Sequence, residues 1–296
     1  MAPKKGKLYL QNAIFMGVVH VIAFYGFYTL ALGHWKWQTI ASGVVWFFIS
    51  GLGITVGYHR FFTHRSFKCG KVVQTILAIC GTTAIENTIK VWVSGHVIHH
   101  QKTDKDEDPY NAARGFWHSH IGWILFKDPD RKKGDFSAAD HLTEDSWTAR
   151  LVNFQHKNYY LLIIFFWGIM PVLIASLWGD PLGGFISRVS ASILVWHATF
   201  FINSLAHMRH WGSSQPYTRA NSSQDSWIVS LVTFGEGYHN YHHAFPRDFR
   251  NGLLWYNFDP SKWIILGLSK LGLATDLKRT PDDKIEKARK TVLEQA

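Results

Sequence analysis

The sequence predicts an all-α integral membrane protein: four transmembrane helices with a cytoplasmic helical cap that holds a histidine-rich dimetal site. Three observations predict it. Four apolar stretches each approach the roughly 20 residues that a helix needs to cross a bilayer. Nine of the 17 histidines gather in four short clusters. All four clusters fall at or beyond the same ends of those stretches. At 296 residues with 47% hydrophobic and 16% aromatic content, and with no internal repeat or low-complexity tract, residues 1–296 read as a single domain.

The expected spans are 13–32, 40–58, 159–178 and 186–207. A shorter apolar stretch, 72–85, is too short to cross and is expected to pack as core or dip into the bilayer. With a cytoplasmic amino terminus, segments 59–158 and 208–296 are cytoplasmic, His59 and His207 sit at cytoplasmic helix ends, and all nine clustered histidines face one compartment. Charge agrees with that orientation, because Lys4, Lys5 and Lys7 precede the first span while the two outer connections carry little beyond Lys36 and Arg188. The net charge of +10 is mainly membrane topology, with a capacity to attract anionic lipid headgroups or a phosphate-bearing substrate. No nucleic-acid-binding motif accompanies it. Residues 1–10 lack a cleavable signal pattern, so the first span is expected to be retained. Cys69 and Cys80 form no CxxC pair and read as reduced packing cysteines. The charged tail, 278–296, is expected to fray.

The histidine spacing carries the chemistry. Residues at i, i+3 and i+4 share a helical face, so His96, His99 and His100, and likewise His239, His242 and His243, each project three imidazoles toward one place. Two such triplets could grip metal from opposite sides. His59 and His64 are five apart, which points them to different faces of a straight helix; the spacing implies either a bent helix end or ligands for different metals. With His207, nine imidazoles exceed the three or four that one zinc takes and match a pair of metals, and imidazole suits iron, copper and zinc alike. Of the unclustered histidines, His20 and His197 fall inside spans and read as neutral imidazoles bonded between helices, and His118 and His120, two apart, read as structural. Glu236, three residues before His239, is a candidate to orient an imidazole, with Asp106 and Asp108 behind it; the acidic run 104–108 reads mainly as a solvated loop.

The segment from Gly57-Tyr58-His59-Arg60-Phe61-Phe62-Thr63-His64 to Phe67, the clusters 96–100, Asn203-Ser204-Leu205-Ala206-His207 and Gly235-Glu236-Gly237-Tyr238-His239 to His243, together with 107–116, 119–123 and the run from Phe245-Pro246 to Ala274, resemble the membrane fatty-acyl desaturases of the stearoyl-CoA (delta-9) branch. The resemblance runs from about Gly51 to Lys278. It implies a centre of two iron ions on the nine histidines, O2 as cosubstrate, and a role for Asn203, one turn before His207, in holding a water at an open metal position. It further implies that Asn87, Trp92 and Phe200 contact the substrate. Phe200 stands where the animal enzymes have tryptophan, and Ser94-Gly95 stands where they have an Arg-Asp pair for the coenzyme A headgroup. Lys127, Arg131, Lys132 and Lys133 could supply cations for its phosphates.

Removing hydrogen from an unactivated methylene needs a redox metal and dioxygen, and zinc has no accessible redox step. The implied activity is oxygen-dependent desaturation of a saturated fatty acyl chain, as acyl-CoA at delta-9. A related di-iron acyl-lipid desaturase or hydroxylase is the neighbouring alternative, and a histidine-rich membrane haem or metal-transport protein belongs to a different class. The chain carries no GxGxxG fingerprint in a strand-to-helix context, no iron–sulfur cysteine set and no fused haem motif. Electrons are therefore expected from a separate donor, cytochrome b5 or ferredoxin with its reductase. The membrane is the endoplasmic reticulum in a eukaryote and the cytoplasmic membrane in a bacterium.

Overall fold

The computed structural model of the chain describes residues 6–126 and 135–295. Lys4, Lys5, Lys127, Arg131, Lys132 and Lys133 lie outside the described residues.

Among the described residues, four helices are long and apolar enough to cross a membrane: Leu10–Ala31, Trp37–Thr63, Tyr159–Ser176 and Pro181–His207. They match the four expected spans, with the second extended at both ends and the fourth begun five residues earlier. The earlier start has a local cause: Pro181 occupies the first helical turn and Asp180 accepts the Gly183 N–H as an N-cap. The fourth helix is the hub, 61% of its apolar window being buried against 17–44% for the other three. Met16, Val19 and Ala23 of the first span close on Val189, Ile193 and Trp196 of the fourth, and Trp167 of the third donates to the Ser192 hydroxyl at 2.8 Å. At the end remote from the histidines, Lys36 Nζ donates to the carbonyls of Trp178 and Gly179, tying the two outer turns together.

Arg188 departs from its expected place in an outer connection. It is fully buried in the fourth helix, donates to the Thr83 carbonyl and to Ser192, and lies 4.9 Å over the Trp46 ring. A charge at this depth persists because fixed acceptors and an aromatic face replace its hydration. The short apolar stretch forms the helix Lys71–Thr83, which packs Val73, Leu77 and Ala78 into the core. Glycines permit that packing: a side chain at Gly53 would collide with the backbone of Cys80 and Gly81, and one at Gly81 with the Tyr58 ring.

The second helix changes pitch before it ends. From Gly53 to Thr63 it is π-helical, with the His64 N–H bonded to the His59 carbonyl five residues back at 3.1 Å. A π-turn places i and i+5 on one face. Beyond this helix the cap assembles on a core of Tyr58, Phe62, Ile89, Val93, Phe249 and Ile265, and a two-residue antiparallel pairing of Lys68–Cys69 with Ala274–Thr275 ties its early and late segments. The tail does not fray: it forms the helix Asp282–Glu294 with Ile285 and Val292 buried, and Arg289 donates to the Tyr217 hydroxyl at 2.9 Å.

Candidate metal centre

The nine clustered histidines meet in two adjoining groups. The ring nitrogens of His59, His64, His96, His100 and His242 lie within 4.8 Å of one another, and those of His99, His207, His239 and His243 do likewise. The π-helical end of the second span decides between the two readings of the five-residue spacing, since it brings His59 and His64 into the same group. Neither triplet serves one place, as the i, i+3, i+4 pattern had suggested. At 100° per residue, positions i and i+4 differ by about 40° whereas i+3 and i+4 differ by about 100°. On Ile89–Lys102, His96 and His100 therefore enter the five-membered group and His99 the other. On His239–Ala244 the division is reversed, with His239 and His243 in the four-membered group and His242 in the five. Each helix thus serves both groups.

The chemistry of the donors fits metal ions. Adjacent Nε2 atoms stand 2.9–3.1 Å apart along His59–His242–His100–His96–His64, and 3.0–3.1 Å apart along His207–His239–His243. Burial first, and then the neighbouring imidazoles, hold His96, His100, His239, His242 and His243 well below the usual histidine range. Neutral rings with convergent lone pairs repel one another unless a cation sits between them. Five and four imidazole nitrogens with no thiolate are a borderline donor set suited to iron, copper or zinc.

At His99 and His207 the outward nitrogen meets an acceptor, which fixes which nitrogen faces the centre. His99 Nδ1 donates to Asp108 at 2.9 Å, leaving Nε2 without a proton. His207 Nδ1 meets the Ser222 hydroxyl at 3.0 Å; that hydroxyl donates to Asp104 at 2.6 Å, so the ring must be the donor. Glu236 lies 2.9 Å from His59 Nδ1, off the line of a hydrogen bond. It also accepts from Arg60 at 2.9 Å and Asn251 at 2.6 Å. Burial opposes charge on Glu236, yet His59 and Arg60 hold its carboxyl below the usual range. Arg60 is 1% exposed and forms a two-pronged pair with Asp259.

The acidic run is thus more than a solvated loop, because Asp108 is 2% exposed and in contact with a clustered histidine. Asp104, Ser222, Arg60 and Asp259 were not singled out from sequence. Asp104 is 118 residues from its partner Ser222, and nothing local marks either. Asp106 makes no contact with the histidines among the described residues.

Trp92 stacks on His96, with ring centroids 4.9 Å apart and planes at 24°, and its indole N–H points to Glu86 at 3.3 Å. Asn87 is exposed in a left-handed turn, φ 75°. Phe200 is buried and meets the His120 ring edge-on. Asn203 ends the helix Pro181–Asn203 one turn before His207. Glu86 was missed by the sequence reading: it accepts from Thr199 at 2.8 Å, and burial pushes its carboxyl up to about 7. His20 and His197 join across two spans at 3.2 Å, and His197 continues to His120 at 2.9 Å. This agrees with the interhelix role read from sequence and places none of the three in either group.

Residues 35–272 match the family model for fatty acid desaturases. The chain is 42% identical over 269 residues to a probable acyl-CoA desaturase of Schizosaccharomyces pombe, covering 90% of this chain and 54% of that protein. It is 42% identical over 247 residues to acyl-CoA desaturase 1 of Saccharomyces cerevisiae, covering 83% and 47%. With stearoyl-CoA desaturase 5 of Bos taurus it shares 33% identity over 282 residues, covering 93% and 81%. The chain therefore spans about half the length of the two yeast proteins and four fifths of the bovine one. Four membrane-crossing helices, nine histidines in a five-plus-four arrangement and a family match over most of the sequence place this chain among the membrane fatty acid desaturases.

Proposed function

We propose that the protein catalyses oxygen-dependent desaturation of a saturated fatty acyl-CoA, giving a cis monoene at delta-9, and that residues 1–296 act as one desaturase domain. The single observation that carries the reading is the convergence of nine imidazoles in two adjoining groups beside the apolar ends of membrane spans. The yeast and bovine relatives named for acyl-CoA substrates support the choice of acyl carrier.

His59, His64, His96, His100 and His242 would hold one iron, and His99, His207, His239 and His243 the other. Bound there, iron supplies with O2 the redox step that removes hydrogen from an unactivated methylene, which no side chain can perform. The chain's own residues position the site and shield it from water. Asp108, Ser222 with Asp104, and Glu236 orient His99, His207 and His59. Asn203, four residues before His207 at the end of its helix, would reach the four-histidine side through a water. Trp92, Phe200 and Asn87 would contact the acyl substrate, as the family resemblance implies, and Lys127 is the candidate cation for its phosphates.

The reaction takes two hydrogens from the substrate and reduces O2 to two waters, so two electrons and two protons must come from outside. An electron donor such as cytochrome b5, or ferredoxin with its reductase, is assigned to the face that carries the histidines. That face is cytoplasmic when the amino terminus is.

The test is expression in cells lacking their own desaturase, followed by gas chromatography with mass spectrometry and double-bond location. New cis-9 monoenes, absent with His242→Ala, are the expected result. Hydroxy acids instead of alkenes would move the reading to a hydroxylase. An unchanged profile from iron-loaded protein with a competent donor would overturn it.

A further inference from the structure

The part of the cap that follows the fourth span carries an apolar surface that none of the described residues covers. On the short helix Trp227–Val232, Trp227 and Leu231 share a face and are 55% and 50% exposed. On Pro260–Lys270 the buried face holds Ser261, Lys262 and Ile265, while Trp263 and Ile264 point outward and the stripe continues to Leu271, 73% exposed. Between the two helices Trp255 is 84% exposed. Leaving such groups in water is unfavourable by roughly 25 cal/mol per Å² of apolar area, and large exposed apolar groups in such number mark an interaction surface.

The depth of these helices identifies what covers them. The first packs on the fourth span and the second on the π-helical stretch of the second span, where Ser261 meets Thr55 at 2.7 Å. The Phe234 ring, two residues past the first helix, lies 4.9 Å from Phe47 and 5.9 Å from Phe48, and it leaves no room for a side chain at Gly51. Ile264 of the second helix shares with Val44, Phe48, Leu52 and Leu77 the lining of one apolar groove of about 360 Å³. The second span is 27 residues, about 40 Å long at 1.5 Å per residue, against a hydrocarbon thickness of about 30 Å. Measured from Trp37, whose side chain is 73% exposed where an interface anchor belongs, the hydrocarbon ends near Gly57. Leu52 then lies about 7 Å beneath that boundary and Phe48 about 13 Å. Elements that touch the span at Phe47, Phe48 and Leu52 are below the headgroups, and their outward faces continue the lipid-facing surface of Val44 and Phe48.

We propose that Trp227–Val232 and Pro260–Lys270, with the Trp255 loop between them, are immersed in the leaflet on the histidine side, so that part of the cap is a monotopic insertion rather than a body standing in water. The occupant of the surface is lipid: acyl chains against Leu231, Trp263 and Ile264, and the headgroup boundary against Trp255, at the 5–10 Å depth typical of interfacial helices. The metal-bearing end is thereby held at a fixed height over the membrane from which an acyl substrate is drawn.

Depth can be read by spin labelling the full chain in nanodiscs holding one copy each and no electron donor, so that neither a second copy nor a partner protein can cover the surface. With Cys69 and Cys80 replaced by serine, labels are placed by Leu231→Cys and Trp263→Cys, with Phe48→Cys as the lipid reference and Glu286→Cys on the exposed tail helix as the aqueous one. Power saturation compares collision with O2, which concentrates in lipid, and with a water-soluble nickel chelate. The expected result is an oxygen-to-nickel ratio at positions 231 and 263 severalfold above that at 286 and close to that at 48. Nickel accessibility at 231 and 263 equal to that at 286 would overturn the proposal and mark the surface as one for a protein partner. Because the Trp263 ring also packs on Phe258, Val232→Cys supplies the second reading if the 263 variant no longer melts cooperatively.

Discussion

Glu236→Gln separates the two tasks that one buried carboxylate performs. The substitution keeps shape and an acceptor oxygen for Arg60, but removes the charge that lies 2.9 Å from His59 Nδ1 and 2.9 Å from the Arg60 guanidinium. Loss of a group that orients a metal-bound imidazole weakens metal affinity about 10- to 100-fold, or about 1.4–2.7 kcal/mol. Breaking a buried ion pair costs about 3–5 kcal/mol in stability. Here the lower end applies, about 3 kcal/mol, because Arg60 retains both bonds to Asp259. Asp259→Asn is the matched control. Asp259 is fully buried; it pairs with the same guanidinium and caps Pro260–Lys270 by accepting the Lys262 N–H, yet it touches no clustered histidine. It should destabilise at least as much while changing metal affinity less than about threefold, or roughly 0.7 kcal/mol. Affinity is measured as metal content by mass spectrometry after equilibration with graded chelator, and stability as melting in nanodiscs at full metal occupancy. If Glu236→Gln kept wild-type affinity while Asp259→Asn lost metal, the assignment of Glu236 to His59 would be wrong.

Three further outcomes follow from the same geometry. His99→Ala leaves three imidazoles in the four-membered group and should lower bound metal from two ions per chain to one, whereas His242→Ala leaves four in the other and should weaken binding without emptying it. Both abolish turnover and His118→Ala does not; retained activity in His99→Ala would sink the site assignment. Asp104→Asn should loosen metal on the four-histidine side about tenfold through Ser222 and His207, with the five-histidine side unchanged in the same chelator titration; an equal loss on both sides would contradict the relay. Glu86 titrates at about 7 in the fold against 4.5 ordinarily, so between those values the native chain holds a proton that the unfolded chain has released. Stability therefore falls as pH rises from about 4.5 to 7, by at most about 3 kcal/mol. Glu86→Gln should lessen that decline in melting temperature, and parallel wild-type and variant curves would show that Glu86 is not held protonated.

The sequence by itself determined the membrane class, the number of spans and the identity of the nine clustered histidines. Each rests on a one-dimensional signal: about 20 apolar residues span a bilayer whatever their neighbours, and imidazoles at i, i+3 and i+4 must crowd one side of a helix. Tertiary structure decided how the histidines are shared. The π-helical turn from Gly53 to Thr63 brought His59 and His64 together, and the seating of Ile89–Lys102 against His239–Ala244 split each triplet between groups. Structure also found Asp104 for Ser222, the partner of His207, across 118 residues of chain, and Asp259 for Arg60 across 199. It drew Arg188 from the expected outer connection into the bundle beneath Trp46. The physical reason is common to these cases. Local spacing says which side chains can face the same way, but the depth and rotation at which two elements pack depend on contacts between residues far apart in sequence, and those contacts settle which donor meets which acceptor.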